Sequence, residues 1–132
     1  MAKMPKELMD LLNDPQTVKV LATADAARNP NAVPKGSITA IDDQTIAFAD
    51  IMGEKTNANL RANKKVALVV TALTKTPPAG YQVKGAFQGY QTSGTLFDTF
   101  TKKLEPRKLK PKAVGTIKVE EVYSCLPPKK LA

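Results

Sequence analysis

The chain has 132 residues with 20 Lys and Arg against 12 Asp and Glu, a formal charge of +8. That length suits one domain, taken as residues 1–132, which buries about two thirds of its unfolded surface in a single core. The absence of histidine excludes histidine-ligated haem, the usual zinc sites and any Ser-His or Cys-His nucleophile, and the lone Cys125 excludes an intramolecular disulfide.

No stretch approaches the roughly 18 apolar residues of a membrane span, and Met-Ala-Lys-Met-Pro-Lys lacks the apolar run of a signal peptide. A cytoplasmic protein is expected. Between Lys102 and Lys130 the basic residues outnumber Glu105, Glu120 and Glu121. The cluster Arg107-Lys108-Leu109-Lys110-Pro111-Lys112 nevertheless offers no aromatic for a base to stack on, and no nucleic-acid-binding signature accompanies it. A phosphorylated ligand or an acidic partner explains the charge equally well.

In chain order, residues 5–13 read as an amphipathic helix with Leu8, Leu11 and Leu12 on one face, ended by Asn13-Asp14-Pro15. Residues 17–23 read as a strand with Val18, Val20 and Ala22 alternating against Lys19. A turn rich in Asp and Asn leads to a strand over 32–41 and, after Asp42-Asp43-Gln44, another over 45–49, so these three strands read as a meander. Residues 65–73 form a strand whose centre, Val66 to Val70, is apolar enough for burial on both faces. The 81–92 strand contains Gly85 and Gly89, which mark bulges or a close backbone approach. Helix 95–104 places Leu96, Phe97, Phe100 and Leu104 on a core face, and the segment from Pro106 to Pro111 breaks it. A final strand over 114–123 precedes a tail, 126–132, expected to be loosely ordered. Six short strands and about three helices predict a mainly β protein closed into a small barrel.

The most informative segment is Phe48-Ala49-Asp50-Ile51-Met52-Gly53-Glu54-Lys55-Thr56-Asn57-Ala58-Asn59-Leu60. A strand end passes through a glycine turn into a helix whose first N–H groups lack intrahelical acceptors and carry the positive end of the helix dipole. Backbone, the Lys55 ammonium and the Thr56 hydroxyl together suit a phosphate, with Asn59 on the same helical face and Asn57 elsewhere. A P-loop is excluded, because its two required glycines fall on Ala49 and Glu54.

This run and the order of elements resemble the FMN-binding split-barrel family related to pyridoxamine 5'-phosphate oxidase, over nearly the whole chain. The resemblance implies a six-stranded Greek-key split barrel and a homodimer with FMN in clefts at the interface. It assigns the FMN phosphate to Lys55, Thr56 and Asn59, and the isoalloxazine edge to Val33-Pro34-Lys35-Gly36-Ser37. Gly36 would let a planar ring approach the backbone, and Pro34 interrupts strand pairing. Glu54 departs from the glycine common in relatives and sets a repulsive carboxylate beside the phosphate unless it points to solvent or pairs with a base such as Lys35 or Arg28. The implied function is FMN-dependent oxidoreduction or electron transfer, with a non-enzymatic flavin carrier or a deazaflavin binder as the alternatives. Tyr81, Phe87 and Tyr90 are candidates for packing at the interface or the flavin cleft, with core burial the equal alternative for Phe87.

Overall fold

The structure, a computed structural model, describes residues 2–132. Its elements in order are α1 (Lys6–Asn13), β1 (Val18–Ala24), β2 (Pro30–Pro34), β3 (Thr39–Ala40), β4 (Thr45–Asp50), α2 (Glu54–Ala62), β5 (Lys65–Ala72), β6 (Ala79–Gln91), α3 (Thr95–Leu104), a 3-10 turn (Glu105–Arg107), β7 (Ala113–Cys125) and β8 (Pro128–Lys130). All strand pairs are antiparallel.

The hydrogen-bonded order is β2-β1-β5-β6-β7-β4-β3, with β8 added on β7. Strands consecutive in sequence, β2 and β3, therefore lie at opposite ends of the sheet. Only residues 35–38 join them, a link that reaches no more than about 18 Å. A flat sheet of seven strands would separate its ends by about 29 Å, so the sheet must curl until the ends approach. The result is the split barrel, and its split is the link itself.

The number of strands is eight, not six. Residues 32–41 do not form one strand, because Lys35-Gly36-Ser37 leaves the ladder as a turn and divides it into β2 and β3. The second addition is β8, which pairs Tyr123 with Lys130 and Cys125 with Pro128 inside the tail. Nor is there a three-strand meander: β2 pairs with β1 and β3 pairs with β4, on opposite sides of the split.

The alternation on β1 runs opposite to expectation. Leu21, Lys19 and Thr23 point inward, at 0%, 4% and 4% exposure, while Val18 is 59% exposed. Apolar residues on the outer face misled the period-two reading, since two polar residues occupy the inner one. In β5, Val66, Leu68, Val70 and Ala72 are buried, but Ala67, Val69 and Thr71 are only half-buried, so this chain alone covers one face of that strand.

Phe48, Phe87 and Tyr90 meet at the barrel centre, with Phe87 and Tyr90 ring centroids 4.8 Å apart. Gly115 makes this possible, because a Cβ there would lie 2.6 Å from Phe48 Cζ and 2.9 Å from Phe87 Cε1. Both glycines of β6 mark irregularities in its pairing with β7: the register shifts before Gly85 and before Gly89, which has φ 122°. A Cβ on Gly85 would approach the Lys118 carbonyl oxygen to 2.4 Å. Phe87 is core, at 6% exposure. Helix α3 packs on the outer face of β4 and β7, burying Phe100 and Leu104 against Ala47, Ala49 and Val114, which alternate with the barrel-core residues Ile46, Phe48 and Ile117.

Candidate functional site

At the end of β4 the chain turns through Ile51-Met52-Gly53 into α2, and Asp50 organises that turn. Its carboxylate, in a residue only 7% exposed, accepts hydrogen bonds from the Gly53 N–H at 3.2 Å and from Asn57 Nδ2 at 2.8 Å. The Tyr90 hydroxyl donates in turn to Asn57 Oδ1. Burial, reinforced by the Asp50 charge, pushes the Tyr90 phenol up to about 12, so it remains a neutral donor. Three elements are thereby tied together around the first turn of α2. No side chain caps this helix, and Gly53 occupies its N-cap. The N–H groups of Glu54, Lys55 and Thr56 precede the first intrahelical bond, Asn57 N–H to Gly53 O at 2.7 Å, and have no helical acceptor.

The facing wall is the end of β2 and the link across the split. Pro34, Lys35, Gly36 and Ser37 on one side, with Gly53 and Thr56 on the other, enclose a cleft of ≈ 330 Å³ whose lining also includes Leu104, Arg107 and Leu109. Two segments distant in sequence thus meet on one cavity. Lys35 is half-buried, with its ammonium 5.6 Å from the Phe48 ring centroid and 3.5 Å from where a Cβ on Gly53 would stand. Burial lowers its pKa and the Asp50 charge partly opposes this. Ser37 Oγ accepts the Ala49 N–H at 3.0 Å, pinning the link to β4 while leaving its own proton free to donate. Over Gly36 lies the Arg107 guanidinium, 3.5 Å from a Cβ built there. Among the described residues the ion pairs are Lys6–Asp10 and Lys130–Glu121, so the two cations of the cleft have no carboxylate within 4.0 Å.

The proposed phosphate residues divide between two directions. Thr56 and Asn59 are buried, at 2% and 1% exposure, whereas Lys55 is exposed toward Asp25 in the β1–β2 turn, whose carboxyl is held low mainly by hydrogen bonds from Asn29 and least by the Lys55 charge. Asn59 Nδ2 donates to the inward Thr23 hydroxyl at 3.0 Å. Asn57 is no bystander, since it joins Asp50 to Tyr90. Glu54 is exposed to solvent at the helix start and pairs with neither Lys35 nor Arg28, so of the two ways to relieve its repulsion it takes solvation. Asn31, paired across the ladder with Thr23 and on the same face of β2 as the cleft residue Val33, buries an Nδ2 donor that has no partner. A buried unsatisfied donor costs about 1–3 kcal/mol and fits a protein that completes its bonding with a ligand.

Sequence reasoning missed Asp50, Asn57 and Tyr90 as a network, Arg107 as a cleft residue and Lys19 as an inward cation. Arg107 sits in a segment legible as a basic cluster and a helix breaker, and its place over Gly36 depends on the fold. For Lys19 the signal was present: a lysine near the start of a strand whose inward phase could be read either way.

Residues 4–126 match the family described as Pyridoxamine 5'-phosphate oxidase. The chain belongs to this family. Among solved structures it is similar to HupZ of Group A Streptococcus, with 27% identity over 98% of this chain and 99% of that one and a TM-score of 0.84. An FMN-binding protein from Syntrophomonas wolfei subsp. wolfei has 22% identity over 90% and 86% of the two chains, with a TM-score of 0.76. HutZ, the heme storage protein of Vibrio cholerae, has 13% identity over 93% and 95%, with a TM-score of 0.67. The last two show the shared fold. No match was found among curated proteins.

Proposed function

We propose that this family member binds FMN and serves in oxidoreduction or electron transfer. The observation that carries the reading is the convergence of the 34–37 link and the start of α2 on one cleft with two unpaired cations. FMN phosphate is assigned to the Thr56 hydroxyl, the free N–H groups of α2 and the Lys55 ammonium, with Asn59 held beneath them by Thr23. The ring edge is assigned to Val33–Ser37, where Lys35 favours an anionic reduced flavin by its charge. Bound FMN supplies the electron or hydride chemistry; the chain supplies orientation and field.

A homodimer is part of this proposal. A cleft of ≈ 330 Å³ lies at the small end of ligand pockets, which span about 300–1,000 Å³, and a second copy would supply a missing wall. The outer face of β1 and β5 pairs Val20 with Val69 and Ala22 with Ala67, continuing to exposed Val18 and Leu73. That is an aliphatic sheet face of the kind a symmetric partner covers.

The test is the visible spectrum of freshly purified protein followed by titration with FMN. An oxidised-flavin spectrum and saturation at one FMN per chain are expected, whereas a deazaflavin or Soret spectrum with no FMN uptake would reject the reading. Stopped-flow reduction by NADH or NADPH then separates an enzyme, which is reduced rapidly and saturably, from a carrier that only a partner protein reduces. Sedimentation of apo and loaded protein over a dilution series should show FMN favouring the dimer. A monomer that binds FMN stoichiometrically would exclude the shared cleft.

A further inference from the structure

On the far side of the Gly36–Ser37 link from the cofactor cleft lies a second recess of ≈ 240 Å³, whose charged lining is Lys19, Lys103 and Arg107. No carboxylate lines it. Lys19 is the unusual member, a lysine at 4% exposure on the inner face of a strand. Its ammonium has three N–H donors, of which one reaches the Asp14 carbonyl oxygen at 3.0 Å. The Asp14 carboxylate is engaged elsewhere, accepting the Gln16 N–H at 2.8 Å, and forms no ion pair with Lys19. A buried ammonium without a counter-ion is costly. A strand that sets lysine inward against its own apolar pattern marks a place where folding consistency has yielded to another requirement.

We propose that this recess is a second oxyanion site, separate from the cofactor cleft, that takes the phosphate or carboxylate group of a small molecule on Lys19, Lys103 and Arg107. The mutual proximity of the three cations is felt at Lys19: burial lowers its pKa most, and the Arg107 and Lys103 charges lower it further against the opposing Asp14. An anion at their centre reverses that repulsion. Thr39 lines the same recess, and its hydroxyl donates to the Ser37 carbonyl oxygen at 2.9 Å, holding the wall between the two cavities. Gly36, Ser37, Leu104 and Arg107 line both cavities and form their shared boundary.

The probe is inorganic phosphate, with acetate as the carboxylate arm, titrated by calorimetry at constant ionic strength into FMN-free and FMN-loaded protein. Saturable binding of one phosphate per chain at the recess is expected in both forms, with affinities within about threefold of each other; any further phosphate taken up at the open α2 start of the FMN-free protein is the part that FMN displaces and that Thr56→Val weakens. If the protein takes up no FMN, the FMN-free titration still tests the recess. Tighter binding of acetate than of phosphate would assign a carboxylate ligand, and the reverse a phosphorylated one; either supports the site. Lys19→Met should weaken phosphate binding about ten- to a hundredfold, the span of one charge-assisted hydrogen bond. Lys103 and Arg107 are exposed, so Lys103→Gln and Arg107→Gln test the same site without risk to the fold. Each should weaken phosphate at least threefold, while Lys110→Gln, outside the recess, should not. Unchanged affinity in the three recess variants, no saturable binding of either anion, or mutual exclusion of phosphate and FMN would overturn the proposal.

Discussion

Replacing Thr56 with valine removes one hydroxyl while keeping the shape of a side chain that is 2% exposed, so it reads the phosphate contact with little change in packing. A hydrogen bond to a dianionic phosphate contributes about 1.5–3 kcal/mol, which is roughly a ten- to hundredfold change in FMN dissociation constant. Lys55 behaves differently. It is exposed beside Asp25, and an exposed, solvent-screened cation contributes about 0.3–1 kcal/mol, so Lys55→Met should cost only about two- to fivefold. The structure therefore ranks Thr56 above Lys55, where residue types alone place them level. The assay is quenching of flavin fluorescence, titrated at fixed ionic strength with FMN and with riboflavin. Riboflavin lacks the phosphate, so Thr56→Val should leave its affinity unchanged and shrink the preference for FMN. Equal losses for both flavins would show that Thr56 does not meet the phosphate, and a larger loss at Lys55 than at Thr56 would refute the ranking.

Asn57→Ala cuts the link between Asp50 and Tyr90 and should weaken FMN and riboflavin together by about 1–3 kcal/mol, because it loosens the turn and leaves buried partners unsatisfied; an effect confined to FMN would argue for direct phosphate contact. Glu54→Gly removes an unpaired carboxylate at the helix start and should tighten FMN modestly in a low-salt titration, whereas a clear loss would assign Glu54 a stabilising role there. Gly115→Ala drives a methyl group to within 2.6 Å of the Phe48 ring and should cost about 1–3 kcal/mol in urea denaturation, against little change for Gly36→Ala, whose methyl group meets only the tip of Arg107 at 3.5 Å. Lys19 and Lys35 have folded pKa values below 10.5, so the unfolded chain binds more protons just below that pH and stability should rise with alkalinity there. Tyr90, raised from 10.0 to about 12, holds its proton in the folded state and reverses the slope above pH 10. Lys19→Met should flatten the rise and Tyr90→Phe the fall, as measured by urea midpoints across that range; unchanged slopes would contradict these assignments.

Local pattern made much of this fold legible. The 95–104 helix, the α2 start behind Gly53 and the irregularities at Gly85 and Gly89 all lie where spacing and glycine chemistry put them. Strand phase was harder to read, because β1 carries aliphatic residues on both faces and only the fold shows that Lys19 and Thr23 take the inner one. The division of residues 32–41 also escaped, since the chain is drawn across the split by strands at opposite ends of the sheet. Of the candidate site, the segments 33–37 and 53–56 were readable separately, whereas the Asp50–Asn57–Tyr90 network and the Arg107 boundary join residues far apart in sequence. Those contacts belong to topology, which no local window contains.

The claim that FMN lies between the 34–37 link and the start of α2 is tested most directly by a crystal structure of the FMN complex. The account predicts phosphate oxygens within hydrogen-bonding distance of Thr56 Oγ1 and the first N–H groups of α2, with the isoalloxazine edge along Val33–Ser37. The phosphate group of FMN seated among Lys19, Lys103 and Arg107, or a flavin that touches neither wall of the cleft, would contradict it.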